Sequence, residues 1–218
     1  MLPNVSFELA AAGDGTEITW RMQGNLPWFM FWMRSSMETF IGMDYERGLK
    51  MLKEFIETGT VLSQTDVIGV ESIEVMNVLG VGDFCSTDDV GPTMTKAFAT
   101  ATEQLSRNAI AIDGDMLSVY HPCDLKLRRF DFTSGYAVPS GSQAPAGLNH
   151  CQLPAGKSLH IRHTGRYENL GNAWSGGYQY ARYRKLKVAK RDAFEIYRNK
   201  PEENPPAELV TDIFLPLR

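Results

Sequence analysis

The spacing of hydrophobic and polar positions changes several times along this 218-residue chain, and each pattern predicts an element. Alternating runs at residues 5–9 and 17–22, on either side of Gly13-Asp14-Gly15, predict a β-hairpin. Helical spacing from Trp28 to about Glu57 predicts one long helix that begins with six aromatic or methionine residues. A hairpin and one helix cannot enclose a core, so we expect this helix to bury its apolar face elsewhere.

From residue 72 the pattern becomes a regular series of strands and helices. Strands are predicted at residues 73–81, 117–121, 129–138, 158–164, 194–198 and 208–217. Two helices lie between them, and each has one apolar face. The faces are Met94, Ala97, Phe98, Ala101 and Leu105 in the first helix, and Tyr167, Leu170, Trp174, Tyr178 and Ala181 in the second.

The second half of this series repeats the first. Residues 117–122 match residues 194–198, and residues 135–139 match residues 213–216. The sequence therefore predicts an α+β fold with a duplicated strand, helix, strand, strand unit. In this overlay Ser118 takes the place of Glu195, so only one repeat supplies a carboxylate.

Glu195 lies in the middle of the strand Ala193-Phe194-Glu195-Ile196-Tyr197. Strand alternation places Phe194 and Ile196 on one face and Glu195 with Tyr197 on the other. If other parts of the chain cover that second face, the carboxylate sits among aromatic rings and needs a cation or a proton. The alternative is a solvated glutamate on an open sheet.

A polar stretch with little pattern, residues 58–71, predicts a link between two regions. The predicted division is a hairpin and helix at 1–57, the link at 58–71 and a larger domain at 72–218.

Composition narrows the function classes. A formal charge of −4 argues against nucleic acid as a direct partner. The cysteines Cys85, Cys123 and Cys151 are widely spaced, which favours a reducing cytoplasm and argues against a zinc site. His160 and His163 would point to opposite faces of their strand, so we expect no metal and no other cofactor. No signal peptide or membrane-spanning stretch is expected.

Residues 19–27 and 41–53 resemble the last strands and the C-terminal helix of the SRPBCC, or polyketide-cyclase-like, superfamily. Only the end of that fold would be present, so no binding function is carried over. We expect the apolar helix to dock on the second domain or on a second copy of the chain. The second alternative would make a homodimer.

The larger domain resembles the GyrI-like small-molecule-binding domain of bacterial multidrug-responsive transcription activators. The matching stretches are His163-Thr164-Gly165-Arg166-Tyr167, Trp174, Phe194-Glu195-Ile196-Tyr197 and residues 206–216. No helix-turn-helix pattern precedes them, so a transcription-factor role is not supported. The resemblance implies two repeats about a pseudo-twofold axis, antiparallel sheets with two long helices, and a ligand groove with a glutamate at its base.

The resemblance implies that Glu195 and surrounding aromatic residues bind the ligand. These are Tyr197, Trp174, Tyr178, Tyr120, Tyr136 and Phe214. Taken singly, Trp174 and Tyr178 would equally suit a core, and the tyrosine hydroxyls could reach solvent at a sheet rim.

Three functions remain open at this point. The leading one is binding of an amphipathic, cationic or aromatic small molecule, with Glu195 as counter-charge. The first alternative is a hydrolase of cyclopropane-containing or ester xenobiotics, with Glu195 as general base and Tyr136 nearby. The second is a protein-interaction module that inhibits a partner such as a topoisomerase.

Overall fold

The computed structural model describes residues 4–86, 89–121 and 129–218. A two-stranded and an eight-stranded sheet belong to two units of the chain, Met1–Val61 and Leu62–Arg218. The strands are β1 (Asn4–Ala12), β2 (Gly15–Gln23), β3 (Ser63–Ile73), β4 (Met76–Ser86), β5 (Met116–Tyr120), β6 (Arg129–Val138), β7 (Asn149–Leu153), β8 (Gly156–Gly165), β9 (Ala193–Tyr197) and β10 (Val210–Pro216). The α-helices are α1 (Arg34–Thr58), α2 (Val90–Arg107) and α3 (Leu170–Tyr183).

The N-terminal unit contains the predicted hairpin and helix. β1 and β2 pair antiparallel with Phe7 opposite Trp20, and Gly13 takes a φ of 62° in the turn. The Trp20 ring stacks on the Tyr45 ring of α1, with the centroids 3.8 Å apart. Gly48 allows this contact, because a Cβ there would lie 2.8 Å from the Trp20 ring. The stacked pair attaches the hairpin to the helix.

The aromatic run before α1 differs from the predicted continuous helix. Residues Trp28–Met33 form a 3-10 helix, and α1 begins only at Arg34. Trp28, Phe31 and Trp32 are 85%, 75% and 64% exposed, so their rings are accessible to a partner. The homodimer and the SRPBCC resemblance stay predictions. No helix among the described residues, α1 included, is long and apolar enough to cross a membrane.

The eight-stranded sheet of the C-terminal unit is antiparallel, with the strand order β3-β8-β10-β9-β5-β6-β4-β7. α2 packs on β4 with Ala101 and Leu105 against Leu79. α3 packs on β8, where a Cβ at Gly177 would lie 2.7 Å from Ile161 Cδ1. Gly177 therefore allows the helix to pack close to the sheet.

The predicted duplication is present and includes one more strand in each repeat. The two copies of strand, helix, strand, strand are β4-α2-β5-β6 and β8-α3-β9-β10. They meet in the middle of the sheet, where β5 pairs with β9. The extra strands are β3 and β7, and each pairs with the other repeat, β3 with β8 and β7 with β4. The first strand of each repeat therefore pairs with a strand of the other repeat.

Two of the predicted stretches have other bounds in the structure. The expected link over residues 58–71 is irregular only to Leu62, because β3 begins at Ser63. A bulge between Val67 and Gly69 interrupts the alternation of this edge strand, which hid it in the sequence. The single strand predicted at 73–81 is the end of β3 and the start of β4. The sequence did not predict β7.

The face of the sheet opposite the two helices carries its own apolar cluster. Its buried members are Val78, Leu117, Val119, Leu153, Phe194, Ile196 and Phe214. Both faces of the central strands are therefore buried, which explains why β9 has apolar or aromatic residues at every position except Glu195.

Candidate functional site

Glu195 lies at the centre of the sheet, where the two repeats meet. Its Cα partner across β5 and β9 is Ser118, the residue that the sequence overlay matches to it. The shift that relates them is 195 − 118 = 77 residues. The pseudo-twofold axis therefore passes between these two positions, and the carboxylate occurs on one side only.

Ion pairs at the two ends of this central ladder follow the same symmetry. His121 Nδ1 lies 3.0 Å from Asp192 Oδ2 at one end, and Arg198 Nη1 binds the Asp115 carboxylate at the other. The shift of 77 residues relates both partners, because 198 − 121 = 77 and 192 − 115 = 77. The duplication thus preserves a carboxylate with a basic partner at each end of the ladder but not at its centre.

The Glu195 carboxylate is 1% exposed and accepts three hydrogen bonds from neutral donors. Trp174 Nε1 donates to Oε1 at 2.5 Å. The hydroxyls of Tyr120 and Tyr197 both donate to Oε2, at 2.8 and 2.7 Å. In the described part of the chain, no lysine, arginine or histidine is a hydrogen-bond or ion-pair partner of Glu195.

Aromatic rings from both helices and both repeats surround this carboxylate. The Tyr120 and Trp174 rings meet edge to face, with their centroids 5.2 Å apart. The Tyr197 ring has Phe98 of α2 at 5.6 Å and Tyr167 at 5.5 Å, both edge to face. The aromatic edges carry partial positive charge and the faces partial negative charge, so such a group suits a cation over a ring face.

Burial sets the protonation of the whole group. Desolvation raises the pKa of Glu195, and the hydrogen bonds from Tyr197, Trp174 and Tyr120 oppose this rise only in part. Desolvation and the nearby Glu195 charge raise the pKa of Tyr120 and Tyr197 well above 10. The two tyrosines therefore stay protonated and act as donors.

Four of the seven predicted site residues come together, namely Glu195, Tyr197, Trp174 and Tyr120. A fifth, Tyr178, lies at the edge of the group: it is half exposed, and its ring centroid is 6.3 Å from that of Trp174. These five residues form a continuous path of aromatic rings from the surface of α3 to the carboxylate.

Tyr136 and Phe214 lie outside the hydrogen-bonded group, on different faces of the sheet. The Tyr136 hydroxyl is 2.9 Å from Thr102 Oγ1 and is not among the hydrogen-bond partners of Glu195, but its ring meets Phe98 edge to face, with the centroids 6.3 Å apart. Phe214 lies on the opposite face, where its ring stacks on Phe194 at 4.8 Å. Alternation requires this, because Phe214 is the Cα partner of Phe194 and not of Glu195.

Sequence reasoning missed the contribution of α2 to the group. Met94 Sδ lies 3.9 Å from the hydroxyls of both Tyr120 and Tyr197, and Phe98 packs on Tyr197. Met94 and Phe98 were visible in the apolar stripe of the helix, but that stripe alone indicates only core packing.

A second carboxylate, Asp212, is fully buried on the opposite face of the sheet. Arg162 binds it through two parallel bonds, Nε to Oδ1 at 2.7 Å and Nη2 to Oδ2 at 2.9 Å. Arg198 Nε donates to Oδ2 at 2.7 Å, and His160 Nε2 lies 3.0 Å from Oδ1. Burial alone would raise the pKa of Asp212, but the hydrogen bonds from Arg162 and Arg198 and the nearby His160 hold it well below its usual range.

The two histidines of β8 point to opposite faces, as predicted. His160 stacks on Phe214 at 4.6 Å, whereas His163 is fully buried on the helix side, with Nε2 3.1 Å from Ser63 Oγ. Desolvation lowers the pKa of His163 to about 4, so it is neutral at pH 7. Among the described residues, no group of three or more His, Cys, Asp or Glu is arranged to hold a metal ion.

A family model, the GyrI-like small molecule binding domain, matches residues 68–218. The chain belongs to the GyrI-like family. The match covers the whole eight-stranded sheet except the first part of β3. No curated protein sequence matches the chain significantly.

Solved structures share this fold at low sequence identity. The EcmrR C-terminal domain is 16% identical, covers 72% of this chain and 99% of its own, and superposes with a TM-score of 0.60. EcmrR bound to DNA in a transcription complex is also 16% identical, with 89% of this chain and 73% of its own covered and a TM-score of 0.61. SAV2435 bound to tetraphenylphosphonium is 11% identical, with 71% and 94% covered and a TM-score of 0.53.

Proposed function

We propose that the GyrI-like domain binds an amphipathic organic cation and that Glu195 is its counter-charge. The observation that carries this proposal is a fully buried carboxylate with three neutral donors and no cationic partner among the described residues. Neutral hydrogen bonds orient a carboxylate but leave its charge uncompensated. A buried charge of this kind is costly until a cation or a proton neutralises it.

The energy available to a bound cation is substantial. Two unit charges 4 Å apart attract by about 4 kcal/mol at an effective dielectric constant of 20, compared with about 1 kcal/mol in water. Each ring face adds about 0.5–2 kcal/mol of cation-π attraction. Trp174, Tyr120 and Tyr197 supply such rings beside the carboxylate. A delocalised cation with aromatic substituents fits both contributions.

The ligand has to enter between the helices, because Glu195 is 1% exposed. Cavities of about 210 and 310 Å³ lie on the opposite face of the sheet, and Glu195 lines neither of them. We propose that Trp174 and Tyr178 of α3 swing outward to admit the ligand. Tyr178 is already half exposed, and Trp174 is held to Glu195 by a single side-chain hydrogen bond.

The test is calorimetric titration with tetraphenylphosphonium, the lipophilic cation found with SAV2435. We expect binding by the wild type and a loss of affinity of roughly 10- to 100-fold in Glu195→Gln, which keeps the shape and removes the charge. Glu74→Gln removes the same charge from an exposed turn and is the matched control. Triphenylphosphine oxide, a neutral compound of similar shape, is expected to bind the wild type and Glu195→Gln with equal affinity. Unchanged tetraphenylphosphonium affinity in Glu195→Gln would exclude the proposed role of this residue.

Hydrolysis is a second candidate, favoured by the raised pKa of Glu195. A carboxylate with a raised pKa is a better general base for a water molecule than an ordinary one. Tyr120 and Tyr197, rather than Tyr136, would be the hydroxyls that assist it. Incubation with aryl esters and cyclopropane electrophiles, followed by mass spectrometry, tests this candidate. Water-added product that is formed by the wild type and absent with Glu195→Gln would support turnover, whereas recovery of intact compound would leave binding alone.

A further inference from the structure

A cavity of about 210 Å³ lies on the face of the sheet opposite Glu195. Its apolar wall includes Phe194, Leu153 and Pro216, and its polar wall includes Arg191 and Asp192. Phe194 directly precedes Glu195 on β9, so strand alternation separates this cavity from the aromatic group by the thickness of the sheet. The cavity is therefore a separate site and does not depend on the proposed cation binding.

Arg191 is the unusual residue of this cavity. Its Nε atom is buried and has no hydrogen-bond partner. Its Nη2 atom donates to Leu217 O at 3.4 Å, which is a long bond, and packs over Gly156, where a Cβ would lie 2.7 Å away. Arg191 forms no ion pair within the part of the chain that the structure describes. A guanidinium that lines a cavity and has no ion-pair partner can bind an anion that enters it.

The adjacent acid does not satisfy Arg191. Asp192 Oδ2 is instead 3.0 Å from His121 Nδ1. The cavity wall thus contains the Asp192 carboxylate, which has His121 as its partner, and the Arg191 guanidinium, which has no ion-pair partner among the described residues.

The internal repeat provides a comparison for this cavity. A second cavity of about 310 Å³ is lined by Asp115 and Gly114, which the 77-residue shift relates to Asp192 and Arg191 (192 − 115 = 77 and 191 − 114 = 77). Asp115 binds Arg198, as Asp192 binds His121. The two cavities therefore have equivalent acid pairs, but a glycine stands in the second where the first has an arginine. The guanidinium is an addition to one repeat and not a requirement of the fold.

We propose that the Arg191 cavity binds a small carboxylic acid with a compact apolar or aromatic body. Its carboxylate accepts from the Arg191 guanidinium, and its body packs on Phe194 and Leu153. Arg162 binds the Asp212 carboxylate in this protein through two parallel hydrogen bonds, which is the usual way in which a guanidinium holds a carboxylate. The volume of about 210 Å³ is below the roughly 300–1,000 Å³ typical of sites for drug-sized molecules, which restricts the ligand to a small acid.

The first test needs only the wild-type chain. Calorimetric titration compares benzoate with benzamide, which has nearly the same shape but no charge, at constant ionic strength. We expect benzoate to bind at least about ten times more tightly, because only the anion uses the charge of Arg191. Equal affinity for the two compounds, or no binding of benzoate up to about 10 mM, would overturn the proposal.

The second test uses variants of the arginine. Arg191→Gln removes the guanidinium, and we expect it to lose at least about ten-fold in benzoate affinity. Arg184→Gln removes the same charge from an exposed position near the Tyr180 ring and is expected to bind benzoate as the wild type does. Arg191→Lys keeps the charge without the planar fork, so an intermediate loss is expected. Wild-type benzoate affinity in a folded Arg191→Gln protein would contradict the proposal.

Discussion

The sheet of the GyrI-like domain holds two buried carboxylates on neighbouring strands and opposite faces, and they have opposite kinds of partners. Asp212 of β10 is surrounded by two arginines and a histidine. Glu195 of β9 is surrounded by two tyrosines and a tryptophan. Burial disfavours the charged form of both groups, but the pKa of Asp212 is lowered and that of Glu195 is raised. The difference follows from the charge of the partners.

A carboxylate that serves the fold is expected to carry its own counter-charge, because the fold must be stable without a ligand. Asp212 fits this description, since Arg162 and Arg198 link it to β8 and to the end of β9. Glu195 has the hydrogen bonds of a fixed group but lacks the charge compensation. A group in that state is typical of binding or catalytic sites rather than of structural ion pairs. Three substitutions test this distinction.

The largest effect is expected for Asp212→Asn. The change leaves Arg162 and Arg198 facing a neutral amide, one end of which is itself a donor, so their hydrogen bonds cannot all be kept. Removing one partner of a buried pair costs about 3–5 kcal/mol, and we expect about 3 kcal/mol because both arginines still reach solvent. Urea unfolding at pH 7 measures the loss. Asp113→Asn, in an exposed turn, is the control, and a loss of under about 1 kcal/mol in Asp212→Asn would mean that the cluster is not structural.

The second effect concerns Glu195→Gln and has the opposite sign. Because the folded-state pKa of Glu195 is raised, the group favours folding below its unfolded pKa, near 4, and this contribution is lost as pH rises through the folded pKa. Glu195→Gln lacks this loss. We therefore expect equal stabilities near pH 4 and a variant more stable by about 1 kcal/mol at pH 8.

The comparison of the two variants over pH separates the two roles. The pKa of Asp212 is lowered in the fold, so its contribution is present above about pH 4 and is lost as pH falls further. The deficit of Asp212→Asn should shrink below pH 4, whereas the gain of Glu195→Gln should grow above it. The pKa of His163 is lowered to about 4, so the wild type and both variants lose stability as pH falls from about 6.5 to 4. The quantity to plot is therefore the difference in the free energy of unfolding between each variant and the wild type. A Glu195→Gln protein that is less stable than wild type at pH 8 would contradict this account.

The sequence predicted Glu195 and its aromatic neighbours better than it predicted Asp212. Alternation along one strand placed Glu195 and Tyr197 on the same face, and the internal repeat matched Tyr120 to Tyr197. Asp212 was not singled out, because its partners Arg162 and Arg198 come from strands 50 and 14 residues away, and only the order β8-β10-β9 brings them together.

Phe214 and Tyr136 lie outside the group because of the register between strands. Both were assigned to the site through the family resemblance, whereas their faces and their distances from Glu195 depend on how the strands pair. Phe214 is opposite Phe194 in that register, and so it joins the apolar cluster behind the sheet. Tyr136 is opposite Met116, and Met116 is opposite Tyr197, so Tyr136 shares the face of Glu195 but lies two strands away from β9. Local pattern predicted the elements and the duplication, but register is a long-range property that the pattern does not contain.

The smallest effect is expected for Tyr120→Phe, which removes one hydroxyl and leaves the ring in place. Oε2 of Glu195 keeps its bond from Tyr197, so the carboxylate is not left without a donor on that oxygen. A hydrogen bond contributes about 0.5–1.5 kcal/mol net, and we expect the low end, about 0.5 kcal/mol at pH 8, because Tyr197 still donates to the same oxygen. The loss should fall near pH 4, where Glu195 is protonated and the bond is between neutral groups. Unfolding of wild type and Tyr120→Phe at both pH values measures this, with Tyr183→Phe, an exposed tyrosine, as the control. A loss that is the same at both pH values would show that Tyr120 supports packing and not the charge of Glu195.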